Sequence, residues 1–228
     1  MSEFLAFAHT LADAAGAAIR PYFGAHGDVE EKSDNSPVTL ADKIAEKAMR
    51  TLIDQQFPDH AIYGEEGGQK KTISEYCWVI DPIDGTRAFI AGRKEWGTLI
   101  ALCADGVPIF GILDQPVTGE RWVGTKGERT RYSATPASIA ATDLRGAEVT
   151  LQTRACASLA NAELSTTSAM YFTPGQAKQV VALAQSCRAT VKDGDCYAYG
   201  LLARGQRDLV VDAGLKPYDI LALVPIIE

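Results

Sequence analysis

A little over a third of the way along this 228-residue chain an apolar run, Trp78-Val79-Ile80, meets Asp81-Pro82-Ile83-Asp84-Gly85-Thr86. Tyr76 to Ile80 reads as a short strand, and Pro82 and Gly85 force a turn directly after it. Two carboxylates three residues apart then face one point beyond the strand end, with the Ile83 carbonyl between them. Carboxylate and carbonyl oxygens are hard donors of the kind Mg²⁺ takes. Without a cation, like charges this close repel and raise a pKa. Asp-Pro and Asp-Gly are also ordinary turn dipeptides, so the segment alone fits either a metal site or a shaped turn.

Other acidic positions bear on that choice. Glu65 and Glu66 follow the strand Ala61–Tyr63 and precede Gly67-Gly68; alone they would be an exposed acidic loop. Asp42 stands three residues after Thr39, the spacing of a capping box. Asp219 lies in Lys216-Pro217-Tyr218-Asp219, where a helix starts near Tyr218, a position the helix dipole favours for an acid.

Periodicity supplies the scaffold. Residues 2–23 predict a helix, with Phe4, Ala8, Leu11, Ala15, Ile19 and Tyr22 at helical spacing and Gly24 closing it. Residues 25–38 (Gly27, Ser33, Asn35, Pro37) read as a polar loop. A second helix is expected from Thr39 to Gln56, with Leu40, Ile44, Ala48 and Leu52 on one face. Gly97–Cys103 and Val107–Leu113 form a hairpin across Asp105-Gly106, a favoured turn pair. Arg121–Gly124 is a further strand. Segment 127–146 has no clear period and joins two subdomains. Beyond it, strands (149–152, 164–167, 190–191, 209–211) alternate with helices (155–162, 174–187, 196–204), which predicts an α/β layered architecture.

Composition narrows the function. With 46% apolar and 22% charged residues there is material for a sizeable core, and a net charge of −7 without a basic block makes nucleic acid a poor partner. No apolar run is long enough to span a membrane, and the N-terminus has no pattern of a secretion signal. Five scattered cysteines without a C-x-x-C predict reduced thiols in a cytoplasm rather than a disulfide framework or a zinc site. His9, His26 and His60 show no metal-ligand spacing.

Gly64-Glu65-Glu66, Asp81-Pro82-Ile83-Asp84-Gly85-Thr86 and Tyr218-Asp219, with the upstream Pro37-Val38-Thr39-Leu40-Ala41-Asp42, resemble the motifs of the inositol monophosphatase family in order and interval over nearly the whole chain. The resemblance implies an α-β-α-β-α sandwich of that sugar-phosphatase type. Residues 1–140 would form an α+β subdomain with most metal ligands. Residues 147–228 would form an α/β subdomain with the leaving-group pocket, and would lack the family's usual final strand and helix. The activity implied is Mg²⁺-dependent hydrolysis of a small phosphorylated metabolite, with two to three ions per site, in a homodimer. Glu65, Asp81 and the Ile83 carbonyl would hold the first ion, Asp81, Asp84 and Asp219 the second, and Glu65 a weaker third. Asp42 and Thr86 would relay a proton from the attacking water. Gly85 and Thr86 N–H groups would face the phosphate, with Asp84 alongside. Two metals about 3.5–4 Å apart suit an in-line displacement of this kind.

Asp195 and Asp212 would line the leaving-group side, and two acids there suit a cationic alcohol. Trp96-Gly97-Thr98, Leu164–Ser168, Gly194-Asp195-Cys196-Tyr197 and Lys216–Asp219 are similar to the histidinol-phosphate phosphatase branch, whose substrate carries an ammonium and an imidazole and belongs to histidine biosynthesis. A rival reading makes Asp195 the N-cap of the helix over 196–204. Other expectations left open are an inositol-1-monophosphatase, another sugar or nucleotide phosphatase, and a non-catalytic phosphate-binding module. The last would be expected to have lost one of Glu65, Asp81, Asp84, Thr86 or Asp219, and all are present.

Overall fold

The computed structural model describes residues 2–25, 29–31, 37–134, 148–192 and 194–228. The residues 135–146 of the expected junction, the expected subdomain boundary at 140–147, His26, Gly27, Ser33 and Asn35 lie outside them.

The first half comprises α1 (Ser2–Ile19), β1 (Val29–Glu31), β2 (Pro37–Thr39), α2 (Leu40–Gln56), β3 (Ala61–Gly64), β4 (Gly68–Lys70), β5 (Tyr76–Asp84) and α3 (Thr86–Ile90). It continues through β6 (Gly97–Ala104), β7 (Val107–Gln115), β8 (Glu120–Thr125) and β9 (Arg131–Ala134). After the junction come β10 (Val149–Thr150), β11 (Glu163–Thr166), α4 (Pro174–Ser186), β12 (Ala189–Lys192), α5 (Asp195–Ala203), β13 (Leu209–Val210), α6 (Pro217–Ile220) and α7 (Val224–Ile227).

The main sheet has eight strands in the order β10-β9-β8-β7-β6-β5-β3-β4, antiparallel except for the β3–β5 pair. Its centre is buried on both faces, which is why β5 to β7 read as near-continuous apolar runs. Trp78, Ile80, Ile100, Leu102 and Ile112 point into one core with α1 and α2. Val79, Leu99, Ala101, Leu113 and Trp122 point into a second core with α5 and the 222–226 segment. Beyond α5 lies a parallel three-stranded sheet, β12-β11-β13, with α4 as the crossover from β11 to β12. This is the expected layered α/β sandwich. The expected hairpin is present, with Asp105 (φ 48°) and Gly106 (φ 78°) both left-handed as its two-residue turn requires.

Several expectations are corrected. The 25–38 stretch is not all loop, because β1 and β2 pair as an antiparallel ribbon. The stretch expected as a helix over 155–162 is irregular, with a single 3₁₀ turn at Leu159–Asn161. The final helix is two short ones. On α2, the inward residues are Ala41, Asp42, Ala45, Glu46, Met49 and Ile53, while Leu40 and Ile44 are exposed. The reason is the partner: α1 packs against α2, and both helices bury small residues, Ala8, Ala12 and Ala15 on α1 and Ala41 and Ala45 on α2.

Candidate metal centre

The site begins with a defect in pairing. In β5, Asp81 pairs with Leu99 and Asp84 with Gly97, so Pro82 and Ile83 together oppose the single residue Thr98. Residues 81 and 84 of a regular strand would face opposite sides of the sheet; the extra residue of this bulge restores both to one side. The bulge is held from within and without. The Ile83 N–H donates to Asp81 Oδ1 at 3.0 Å, and the Thr98 hydroxyl donates to the Pro82 carbonyl at 2.7 Å. Gly85 follows in a left-handed conformation (φ 94°), where a Cβ would lie 3.0 Å from the Glu95 carbonyl and 3.1 Å from Asp195 Oδ2. Thr86 then starts α3, and its hydroxyl donates to the Ile83 carbonyl at 3.1 Å.

Asp81, Asp84 and Asp219 each offer an oxygen, all within 4.8 Å of one another. Burial pushes the Asp81 carboxyl well above the usual carboxylate range, and Glu65, Asp84 and Asp219 push it further. Burial likewise raises Asp84, helped by Asp195 and Asp219 and opposed by its bonds from Cys196. Carboxylates crowded this way, with a buried member and hard oxygen donors throughout, fit a divalent cation such as Mg²⁺.

Glu65 reaches the cluster on a short turn after β3. Its N–H donates to the Ile80 carbonyl at 3.3 Å, and its carboxyl hydrogen-bonds Asp81. A residue absent from the sequence reading fixes that turn. Glu46 on α2, 2% exposed, accepts the N–H groups of Glu66 and Gly67, both at 2.7 Å, and pairs with Arg50 Nε at 2.7 Å. A Cβ on Gly64 would fall 2.3 Å from Glu46 Oε1, so glycine there lets the turn close onto the carboxylate. In sequence, Glu46 and Arg50 have the i,i+4 spacing of any exposed ion pair, and only the tertiary contact distinguishes them.

Asp42 is fully buried at the start of α2. Its Oδ2 accepts the Thr39 N–H at 2.8 Å and the Thr39 hydroxyl at 2.5 Å, and Thr39 caps Asp42 in return, so the expected capping box is formed. The helix opened by Thr86 packs against β2, beside this start.

The C-terminal half contributes the rest. Asp219 is the third residue of α6, and its Oδ2 accepts the Lys216 N–H at 2.7 Å. The N-cap of α5 is Gly194 rather than Asp195, which corrects the rival reading of Asp195 as the cap. Asp195 lies one residue inside, left-handed at φ 38°, with its carboxylate beside Gly85 and its charge acting on Asp84. The next N–H, that of Cys196, donates to Asp84 Oδ2 at 2.6 Å. Asp212 has structural partners: its oxygens accept the Thr167 N–H at 2.6 Å and the Tyr199 hydroxyl at 3.2 Å, tying the end of β13 to that of β11. All five cysteines are free thiols, and burial raises Cys77, Cys103 (to about 12) and Cys196.

The model of the inositol monophosphatase family matches residues 1–228. The chain belongs to that family. It is 46% identical over 230 residues to the chloroplastic bifunctional phosphatase IMPL2 of Arabidopsis thaliana, covering 100% of this chain but only 62% of that protein. The histidinol-phosphatase of Chlorobaculum parvum is 31% identical, covering 100% of this chain and 83% of its own. That of Mycobacterium tuberculosis is 32% identical, covering 96% and 82%. Among solved structures, an inositol monophosphatase from Zymomonas mobilis superposes with a TM-score of 0.83 at 44% identity, over 99% of this chain and 82% of that one. Family and relatives together indicate a phosphoric monoester hydrolase, of a family whose enzymes are generally Mg²⁺-dependent. Among the described residues no helix is long and apolar enough to cross a membrane.

Proposed function

We propose that this chain is a Mg²⁺-dependent phosphatase whose preferred substrate is histidinol phosphate, working as a homodimer in the cytoplasm. The observation that carries the substrate choice is Asp195, an extra carboxylate set beside Asp84 and Gly85. The histidinol-phosphatase names of two relatives point the same way.

Glu65, Asp81 and the Ile83 carbonyl would hold one ion and Asp81, Asp84 and Asp219 another, with Glu65 also serving a weaker third. Bound Mg²⁺ supplies a lowered pKa for the attacking water and neutralisation of the phosphate oxygens. The protein's own groups do the rest. The Gly85 and Thr86 N–H groups, at a turn into a helix and so without partners in the preceding turn, face the phosphate. Thr86 Oγ1 would accept the proton of the attacking water while its own hydroxyl proton, donated here to the Ile83 carbonyl, turns to pass to Asp42. Asp195 and Asp212 hold the ammonium end of the alcohol, orienting the ester before reaction.

The test is phosphate release with Mg²⁺ from histidinol phosphate, inositol 1-phosphate, fructose 1,6-bisphosphate and a 3′-phosphorylated nucleotide. Histidinol phosphate is expected to lead in kcat/KM by about tenfold or more, the weight of one charge-assisted contact. Equal rates with inositol 1-phosphate would replace this reading by a general inositol-phosphatase one. Size-exclusion chromatography at micromolar protein tests the dimer.

A further inference from the structure

Glu120 opens β8, far from the carboxylate cluster in sequence, and is 7% exposed. Its Oε1 accepts the Tyr132 hydroxyl at 2.7 Å and Arg204 Nη1 at 2.9 Å; its Oε2 accepts the Tyr197 hydroxyl at 2.7 Å and the Thr118 hydroxyl at 2.8 Å. Four donors fill the four lone-pair positions of a carboxylate. The Arg204 guanidinium also lies 4.3 Å from the centre of the Tyr132 ring. This is a saturated, desolvated hub rather than a surface ion pair.

The donors divide by element. Thr118 and Tyr132 belong to the main sheet and its turns, Tyr197 and Arg204 to α5. Tyr197 is in the first turn of α5 and Arg204 is its C-cap. Seven residues make two helical turns, so both reach from one face. One carboxylate thereby fixes the helix in rotation about its axis and in slide along it. The two residues before Tyr197 are Asp195, beside Gly85, and Cys196, whose N–H binds Asp84. Asp195 is also held at φ 38° after Gly194 at φ 136°, a conformation that persists only where the surroundings over-determine it.

We propose that Glu120, acting through Tyr197 and Arg204, is the positioning residue that sets α5 so that Asp195 and the Cys196 N–H meet Asp84. The role rests on the phosphatase reading of the site. Misplacement of a reacting group by about 1 Å can cost about a hundredfold in rate, so a helix setting this close to the centre matters.

Tyr197→Phe and Tyr132→Phe make a matched pair. Each removes one hydroxyl from the same carboxylate and keeps its ring, but only Tyr197 lies on α5. Three readouts are compared: amide hydrogen exchange at Cys196 against Ile100 in β6, Mg²⁺ affinity by calorimetric titration, and kcat and KM for histidinol phosphate. Tyr197→Phe is expected to speed Cys196 exchange about tenfold relative to Ile100, as local opening of α5 becomes easier. It should weaken Mg²⁺ binding and lower kcat more than it raises KM, the mark of a transition-state effect. Tyr132→Phe keeps both α5 bonds to Glu120, from Tyr197 and Arg204, and so should change Cys196 exchange and Mg²⁺ affinity clearly less than Tyr197→Phe does, by about threefold or less. Glu120→Gln should exceed Tyr197→Phe in both effects. Equal effects from the two tyrosine variants, or none from Tyr197→Phe, overturn the proposal, and the tyrosine pair decides even if Glu120→Gln does not fold. Exchange and metal binding need no turnover. If wild type releases phosphate from no monoester, the phosphatase reading fails while the clamp is still decided.

Discussion

Asp81 carries the sharpest conflict in the molecule, a buried carboxyl surrounded by three others. Asp81→Asn should remove more than nine-tenths of the turnover, a barrier increase above about 1.4 kcal/mol, because one side chain serves both proposed ions. The same substitution should help the metal-free protein, with a definite pH sign. The folded pKa is raised above the ordinary 3.8. As pH rises past that value the unfolded chain loses its proton first, so the folded state binds more protons and stability falls until the folded group also ionises. In EDTA, the melting temperature of wild type should therefore drop relative to Asp81→Asn as pH is raised above the ordinary carboxyl value of 3.8. A difference that stays constant as pH rises above that value would count against burial and crowding as the cause. The proton relay is a second test at this scale. Thr86→Ala should depress kcat strongly with little change in KM, and adding Asp42→Asn should cost little more. Independent, additive losses would separate the two residues. The carboxylates were legible in sequence because each stands in a short motif with turn residues. Glu46 was not, because its signal is a contact with a turn 20 residues away.

At the scale of elements, the main sheet makes room for the C-terminal segment at two glycines. Gly111 and Gly124 are paired across β7 and β8. A Cβ on Gly111 would lie 1.9 Å from the Ala222 carbonyl, and one on Gly124 2.2 Å from that of Pro225. The Thr130 hydroxyl pins the same segment, donating to the Ile226 carbonyl at 2.7 Å. Asp219 is only three residues before Ala222. Gly111→Ala should thus do two things. It should destabilise the fold by about 1–3 kcal/mol through overpacking, read by urea unfolding. It should also weaken Mg²⁺ binding by shifting α6, though residue 111 touches no carboxylate of the site. Lost stability with unchanged Mg²⁺ affinity would show that α6 is held some other way. Helix and strand positions in this layer followed from periodicity, yet the inward face of α2 did not. Its Leu40–Ile44–Ala48–Leu52 stripe is the more hydrophobic, and its neighbour Ala41–Ala45–Met49–Ile53 is the one α1 accepts. A single helix does not encode how closely its partner approaches. The bulge in β5 was hidden likewise, since it exists only against Gly97 and Leu99 of another strand.

Across the whole molecule, the candidate site is a seam. Glu65, Asp81 and Asp84 come from the main sheet, while Asp195 and Asp219 come from the last third of the chain, brought in by α5 and α6. Motif order along the sequence announced this seam; of the groups proposed to close it, Tyr197 ends the Gly194–Tyr197 stretch, whereas Glu120 and Arg204 carry no motif. The seam also decides what substrate suits the centre. On the proposed reading, a leaving alcohol that enters between the two halves would meet Asp195, and a cationic partner would offset the desolvation of that carboxylate. A charge-assisted contact of this kind contributes about 1.5–3 kcal/mol. Asp195→Asn should therefore lower kcat/KM for histidinol phosphate by roughly ten- to a hundredfold. For inositol 1-phosphate or glycerol phosphate the change should be small or favourable, because a neutral alcohol gains nothing from the charge and bears its desolvation. The gap between the substrates narrows, while Mg²⁺ affinity measured by calorimetry stays close to wild type, since Asp195 is not among the proposed ligands. A uniform loss over all substrates, together with weaker Mg²⁺ binding, would make Asp195 a support for Asp84 and leave substrate charge to be read elsewhere.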